Sequence, residues 1–261
     1  MAAYQSHGFI GQEIVAWTKA NKQAHRELFE EAKKLNADCY RVLGEVRIDN
    51  GSLRQTVISC LFPRCMELFQ ATYILAAHGM VPSANITLRS LMETMFVLCA
   101  TAKDDDALHA YVLNDELERR RIANKMLSVK GDAFADVPLT AIREIKGELE
   151  KDIEALKIEK YSTERFAQKA GLHDWYLTAY AVTSRAVHAT IRDMEQYLVI
   201  DEKNDIKAIR FVPTGKEGTV ALSVACASIV HSLQQFLLVF SVDTAFCDEH
   251  AKIVERLIEE V

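Results

Sequence analysis

The feature that most constrains the fold is a long stretch near the C-terminus, from Thr219 to Val242, that contains no Asp, Glu, Lys or Arg. A helix of this length and composition is long enough to cross a bilayer. The stretch also carries side chains that are costly in lipid, which are Ser223, Ser228, His231, Ser232, Gln234, Gln235 and Ser241. We therefore expect a helix covered on every side by other helices, and no membrane association.

The rest of the chain has the pattern of long helices. Apolar residues recur at helical spacing between charged residues, and the chain of 261 residues has only 4 prolines and 10 glycines. A β-rich fold of this size needs many more turn residues. The sequence predicts an all-α fold, a single-domain helical bundle over residues 1–261, with about seven to nine helices around the long uncharged helix.

Turn and cap residues suggest where the helices begin and end. We predict one helix from about Gly11 to Leu43, and a second that begins after the N-cap Ser52 and ends at the C-cap Gly79. Pro63 lies inside the second helix and is expected to kink or split it. The remaining predictions are helices over about 83–103, 107–129, 140–158, 161–171, 175–200 and 243–261, and an irregular segment over 201–218.

Composition limits the classes of function. The net charge of -6 is not typical of a dedicated nucleic-acid-binding protein, although it leaves room for local basic patches. Six cysteines are scattered through apolar stretches, as in proteins of a reducing compartment. No lysine or arginine precedes Lys19, so we expect no signal peptide and a cytoplasmic protein. Metal-binding and nucleotide-binding motifs are missing from the sequence, so we expect no metal and no cofactor.

Two charged residues stand in an otherwise uncharged helix. Between Val81 and Ala102 the only charged residues are Arg89 and Glu93, which share one helix face. Charges in so apolar a helix must be paired. The pair is either a structural ion pair that fixes the helix register, or part of a pocket in which Arg89 binds an anion and Glu93 orients it.

A second polar stripe consists of Tyr180, Ser184 and His188, one helical turn apart. His188 is suited to general acid or base catalysis near neutral pH, but a hydrogen-bonded core histidine has the same pattern. Both helices bury polar atoms unless they meet. We therefore predict that Arg89 and Glu93 face this stripe and form one pocket with it.

A basic run lies in the helix predicted over about 107–129. It consists of Arg119, Arg120, Arg121 and Lys125. Such a run is either a solvated helix face or a set of contacts to the phosphates of RNA.

The residues from Ala84 to Glu93 and from Tyr180 to His188 resemble a widespread bacterial family of unknown function. Its members share an Arg-x3-Glu helix and a later Tyr-x3-Ser-x3-His helix. The resemblance spans roughly residues 53–192 and implies no specific activity. A more distant similarity is to the HEPN superfamily, helical bundles that often act as metal-independent ribonucleases in toxin and phage-defence systems.

HEPN ribonucleases pair an arginine with a histidine several residues later on the same helix, usually across a dimer. Here only two residues separate Arg185 from His188. The resemblance therefore leaves Arg89 as an alternative source of positive charge. It implies RNA cleavage with His188 as acid or base and Arg89 or Arg185 stabilising the developing charge. The rival interpretation is a non-catalytic binding or assembly module. In either case we expect a homodimer, with RNA or another protein as candidate partners.

Overall fold

The computed structural model describes residues 7–129, 139–187, 191–210 and 212–259. The fold is 80% helical, so the prediction of a mostly all-α protein is confirmed. The described residues form ten helices of seven residues or more, slightly above the predicted number. They are α1 Glu13–Ala24, α2 Arg26–Glu45, α3 Leu53–Ala77, α4 Val81–Lys103, α5 Asp105–Ser128, α6 Leu139–Ala155, α7 Thr163–Ala170, α8 Ala181–Val187, α9 Lys216–Val239 and α10 Ala245–Glu259.

The single N-terminal helix predicted from Gly11 to Leu43 is wrong, because the backbone leaves the helical region at His25 (φ -119°, ψ 40°). The break separates two helices that both contact α3. In α1, the buried Asn21 amide donates to the carbonyls of Ala76 and Ala77 at the end of α3, at 3.2 and 3.3 Å. Helix α2 packs against α3 as well, and also against α9 and α10.

Helix α3 has the predicted ends but is not split. The Ser52 hydroxyl accepts the Gln55 N–H at the N-terminus. Gly79 has a φ of +70° just beyond the C-terminus, and its N–H donates to the carbonyl of Ala76 at 3.0 Å. Pro63 lies inside a helix that continues from Leu53 to Ala77. Packing of the buried apolar residues around the proline holds the two halves together as one helix.

Helix α9 lies at the centre of the core and packs against α2, α3, α4 and α10. Its charged residues are confined to the first turn, at Lys216 and Glu217. The ring of Phe236 stacks on that of Phe62 with centroids 4.3 Å apart. By length and composition α9 is the one described helix that could cross a membrane, and 67% of its most apolar stretch is buried in the protein. Because α9 finds its cover within one chain, it gives no reason to require a homodimer, which stays a prediction.

The helix predicted from Trp175 to Ile200 is wrong at its C-terminal end. Residues 198–200 form strand β1 (Leu198–Ile200), which pairs antiparallel with β2 (Ile206–Ile209) inside the segment predicted to be irregular. The Asp201 carboxylate closes the connection by accepting the N–H groups of Lys203 and Asp205, both at 2.9 Å. The hairpin satisfies backbone groups that a helix would have bonded internally.

Candidate functional site

The candidate site begins on α4, where Arg89 and Glu93 lie one turn apart. Nη2 of Arg89 is 3.0 Å from Oε1 of Glu93. The Arg89 side chain is 20% exposed and that of Glu93 is 34% exposed. The pair is therefore half-buried at the edge of the core, where an ion pair is screened less than on the open surface.

Tyr180 reaches this pair from a π-helical segment (Tyr176–Tyr180) that precedes α8. Its hydroxyl accepts a hydrogen bond from Nη2 of Arg89 at 2.8 Å and donates one to Oε1 of Glu93 at 2.6 Å. The ring is buried, with its centroid 5.9 Å from that of Phe96 and 5.1 Å from that of Tyr176. Tyr180 thus joins a charged pair on α4 to an aromatic cluster in the core.

Ser184 completes the described part of the site one turn further along, in α8. Its Oγ accepts a hydrogen bond from Nε of Arg89 at 3.2 Å and donates to the carbonyl of Tyr180 at 2.8 Å. Arg89 therefore donates to side chains at two successive turns of the neighbouring helical segment. We call Arg89, Glu93, Tyr180 and Ser184 the Arg89 cluster.

The electrostatics of the Arg89 cluster keep Tyr180 neutral. Burial raises the pKa of its hydroxyl to about 12, and the hydrogen bond to Glu93 and the charge of Glu93 act in the same direction. The positive charge of Arg89 lowers the pKa but does not outweigh these effects. At neutral pH the hydroxyl is therefore a hydrogen-bond donor and not a phenolate.

The match to a known family covers both halves of this cluster. The model of a family of unknown function, DUF5677, matches residues 55–206, which is more than half of the chain. The chain belongs to this family. The matched part of the DUF5677 protein runs from α3 to the start of β2 and includes both helical segments that meet at Arg89. No curated protein and no solved structure matches the chain.

The structure of this DUF5677 protein does not describe the side chains of two predicted catalytic residues. His188 lies outside the described residues, and of Arg185 the structure describes the helical backbone but not the side chain. The predicted contact between the two polar stripes is present for Arg89, Glu93, Tyr180 and Ser184. The chemical roles assigned to all six residues stay predictions.

The basic run on α5 does not act as one group. Arg119 pairs with Glu116 on the same helix, with Nη1 and Oε1 3.6 Å apart. Arg120, Arg121 and Lys125 instead line a cleft together with Lys160, which follows α6. Contacts to phosphate by the four predicted residues remain a prediction.

Sequence reasoning missed a buried cluster on α2 and α10. Nδ1 of His250 lies 2.5 Å from Oε1 of Glu31, and Nε2 lies 3.1 Å from Oδ2 of Asp38. The Glu31 carboxylate is almost fully buried, and Asp38 also accepts hydrogen bonds from Arg41. In the part of the chain that the structure describes, no group of three or more His, Cys, Asp or Glu side chains is arranged to hold a metal ion.

Proposed function

We propose that this DUF5677 protein is a non-catalytic binding or assembly module, in which the Arg89 cluster fastens α8 and the π-helical segment to α4. The observation that carries the proposal is the position of the Tyr180 hydroxyl between Arg89 and Glu93. This one buried hydroxyl accepts a hydrogen bond from Arg89 and donates another to Glu93. A polar network that satisfies itself in this way specifies how two helices pack.

The charge of Arg89 is already balanced. Its Nη2 is shared between Glu93 and Tyr180, and its Nε is occupied by Ser184. An arginine that stabilises a developing phosphate charge needs donors aimed at the substrate in a preorganised site. A phosphate bound at Arg89 would lie beside the Glu93 carboxylate. The phosphate and the Glu93 carboxylate are both negative, so their repulsion opposes binding.

The hydroxyl groups of Tyr180 and Ser184 are poorly suited to general acid–base catalysis near neutral pH. The pKa of Tyr180 is raised to about 12, far from the range in which a general base works best. Ser184 donates its one hydroxyl proton to the backbone carbonyl of Tyr180. These two groups therefore support the helix contact and not acid–base catalysis.

The alternative is a HEPN-like, metal-independent ribonuclease of a bacterial toxin or phage-defence system. That function requires His188 as the acid or base and Arg89 or Arg185 as the cation. If Arg89 is the cation, the substrate phosphate has to approach the Glu93 carboxylate. The ion pair of Arg89 with Glu93 and its hydrogen bonds to Tyr180 and Ser184 favour the binding or assembly module.

The two functions predict different results when purified protein is incubated with total RNA in EDTA. We expect the wild-type protein and the His188→Ala variant to leave RNA equally intact, with Arg119→Gln as a control on the surface of α5. Metal-independent cleavage that is lost in His188→Ala, while circular dichroism shows an unchanged helix content, would contradict the proposal. Loss of the same cleavage in a folded Arg89→Lys variant would assign Arg89 to the reaction.

A further inference from the structure

A cleft between α5 and the segment that follows α6 has the size and charge of a ligand site. Its volume is about 580 Å³, which is within the range of small-molecule pockets. The lining residues are Leu117, Glu118, Arg120, Arg121, Asn124, Lys125, Ser128, Ile158 and Lys160. The cleft shares no residue with the Arg89 cluster, so it can bind a ligand whether or not that cluster is catalytic.

The lining residues come from one face of α5. Leu117, Arg121, Lys125 and Ser128 follow one another at intervals of three or four residues, so their side chains project on the same side of the helix. Lys160 approaches from the chain that follows α6. Basic groups from two separate segments therefore converge on one space.

Among the described residues, most of the positive charge of the cleft lacks a paired carboxylate. Arg121 is held by Glu118, with Nη2 and Oε2 2.6 Å apart. Within the described ranges, no carboxylate pairs with Arg120, Lys125 or Lys160. Three uncompensated cations in one concave site repel one another, and an anion bound between them relieves that repulsion.

The chemistry of the lining points to phosphate groups of a small ligand. Arginine and lysine are the usual phosphate-binding side chains, and the Asn124 amide and the Ser128 hydroxyl add neutral donors. Among the described residues, the lining contains no aromatic side chain on which a base of single-stranded RNA would stack. The whole chain carries a net charge of -6, which opposes the approach of an extended polyanion more than that of a compact one.

We propose that this cleft binds a small ligand that carries two or more phosphate groups, such as an oligophosphate or the phosphate chain of a nucleotide. Arg120, Lys125 and Lys160 contact the phosphate oxygens, and Leu117 and Ile158 form the apolar floor. Because the basic side chains are partly exposed to solvent, the affinity falls as the salt concentration rises.

Isothermal titration of the full-length protein with inorganic tripolyphosphate at low ionic strength tests the proposal. We expect saturable one-to-one binding that is stronger than that of orthophosphate. The double variant Lys125→Gln, Lys160→Gln should bind about tenfold or more weakly. The matched control is Arg119→Gln, which removes a positive charge from the same helix but not from the cleft, and should change the affinity less than about twofold.

Three results would overturn this assignment. The first is no heat of binding at about 1 mM tripolyphosphate, a concentration that detects even weak sites. The second is an equal loss of affinity in Arg119→Gln, which would show attraction to the general surface charge. The third is tighter binding of a single-stranded RNA oligonucleotide than of tripolyphosphate, with the same dependence on Lys125 and Lys160. Unchanged circular dichroism spectra confirm that the variants fold.

Discussion

The guanidinium carbon of Arg89 lies 5.0 Å from the centre of the Tyr180 ring while Nη2 of the same group donates to the Tyr180 hydroxyl at 2.8 Å. One side chain on α4 thus contacts both the aromatic face and the polar end of one side chain on the neighbouring segment. A cation over an aromatic face adds to the hydrogen bond, and both are stronger away from bulk water. Because of this double contact, we describe the Arg89 cluster as a helix clamp. By this we mean a set of side chains that holds α8 and the π-helical segment against α4.

Replacing Arg89 by alanine is expected to lower the free energy of unfolding by about 1–3 kcal/mol. The substitution removes the cation beside the Glu93 carboxylate and the donor to the Tyr180 hydroxyl in a half-buried site, while Tyr180 still donates to Glu93. Because the pair is partly exposed, the loss is smaller than for a fully buried pair. Urea denaturation measures it. The control Arg119→Ala removes an exposed ion pair and should change stability by less than about 0.5 kcal/mol.

Ionisation of Tyr180 is expected to unfold or loosen the protein only at high pH. The folded-state pKa of about 12 lies above the ordinary value of 10.0. A raised pKa means that the stabilisation is fully present below pH 10 and is lost as the pH rises through about 12. Absorbance titration of tyrosine ionisation measures this.

Tyr180→Phe should remove one late-titrating tyrosine from that curve, and Tyr40→Phe serves as the control for the loss of an exposed tyrosine hydroxyl. A curve for Tyr180→Phe that keeps the full late step would show that the Tyr180 hydroxyl is not held between Arg89 and Glu93.

The cluster of Glu31, Asp38 and His250 predicts a larger effect. His250→Ala should lower the free energy of unfolding by about 3–5 kcal/mol, because it removes the hydrogen bond to the buried Glu31 carboxylate and leaves that carboxylate with Lys34 at 3.9 Å. Thermal or urea denaturation checks this against His109→Ala, which changes an exposed histidine on α5. Equal stabilities of the two variants would show that His250 contributes little.

Acid should weaken the same cluster through Asp38. Burial raises the pKa of Asp38, but hydrogen bonds from Arg41 and His250 outweigh it, so the net pKa lies below the ordinary value of 3.8. A lowered pKa gives stability that is present above pH 3.8 and lost as the pH falls through the folded-state value. We expect Asp38→Asn to flatten the acid limb of the stability curve. An unchanged acid limb would contradict this assignment.

The contact between α4 and the stripe that contains Tyr180 could be predicted from the sequence, because polar residues in apolar helices need hydrogen-bond partners. The same logic applies to Glu31, which lies on the buried face of α2 between Leu28 and Leu35 and was overlooked. His250 has the corresponding position on α10 among Cys247, Val254 and Leu257. The sequence signal for this cluster is a carboxylate and a histidine, each within the apolar stripe of its own helix.

Other features depended on contacts between distant parts of the chain. The break at His25 separates α1, which contacts α3, from α2, which contacts α3, α9 and α10. Pro63 stays inside α3 because packing outweighs local preference. The β1–β2 hairpin was missed because its apolar residues also fit a helical pattern. Pairing with β2 decides between the two structures.

A double-mutant cycle between Arg89 and Tyr180 tests the helix clamp most directly. It compares the free energies of unfolding of the wild type, Arg89→Ala, Tyr180→Phe and the double variant in urea. The Arg89–Tyr180–Glu93 geometry predicts a coupling energy of about 0.5–3 kcal/mol. Losses that add to within about 0.3 kcal/mol would show that the two side chains act independently and would contradict the clamp.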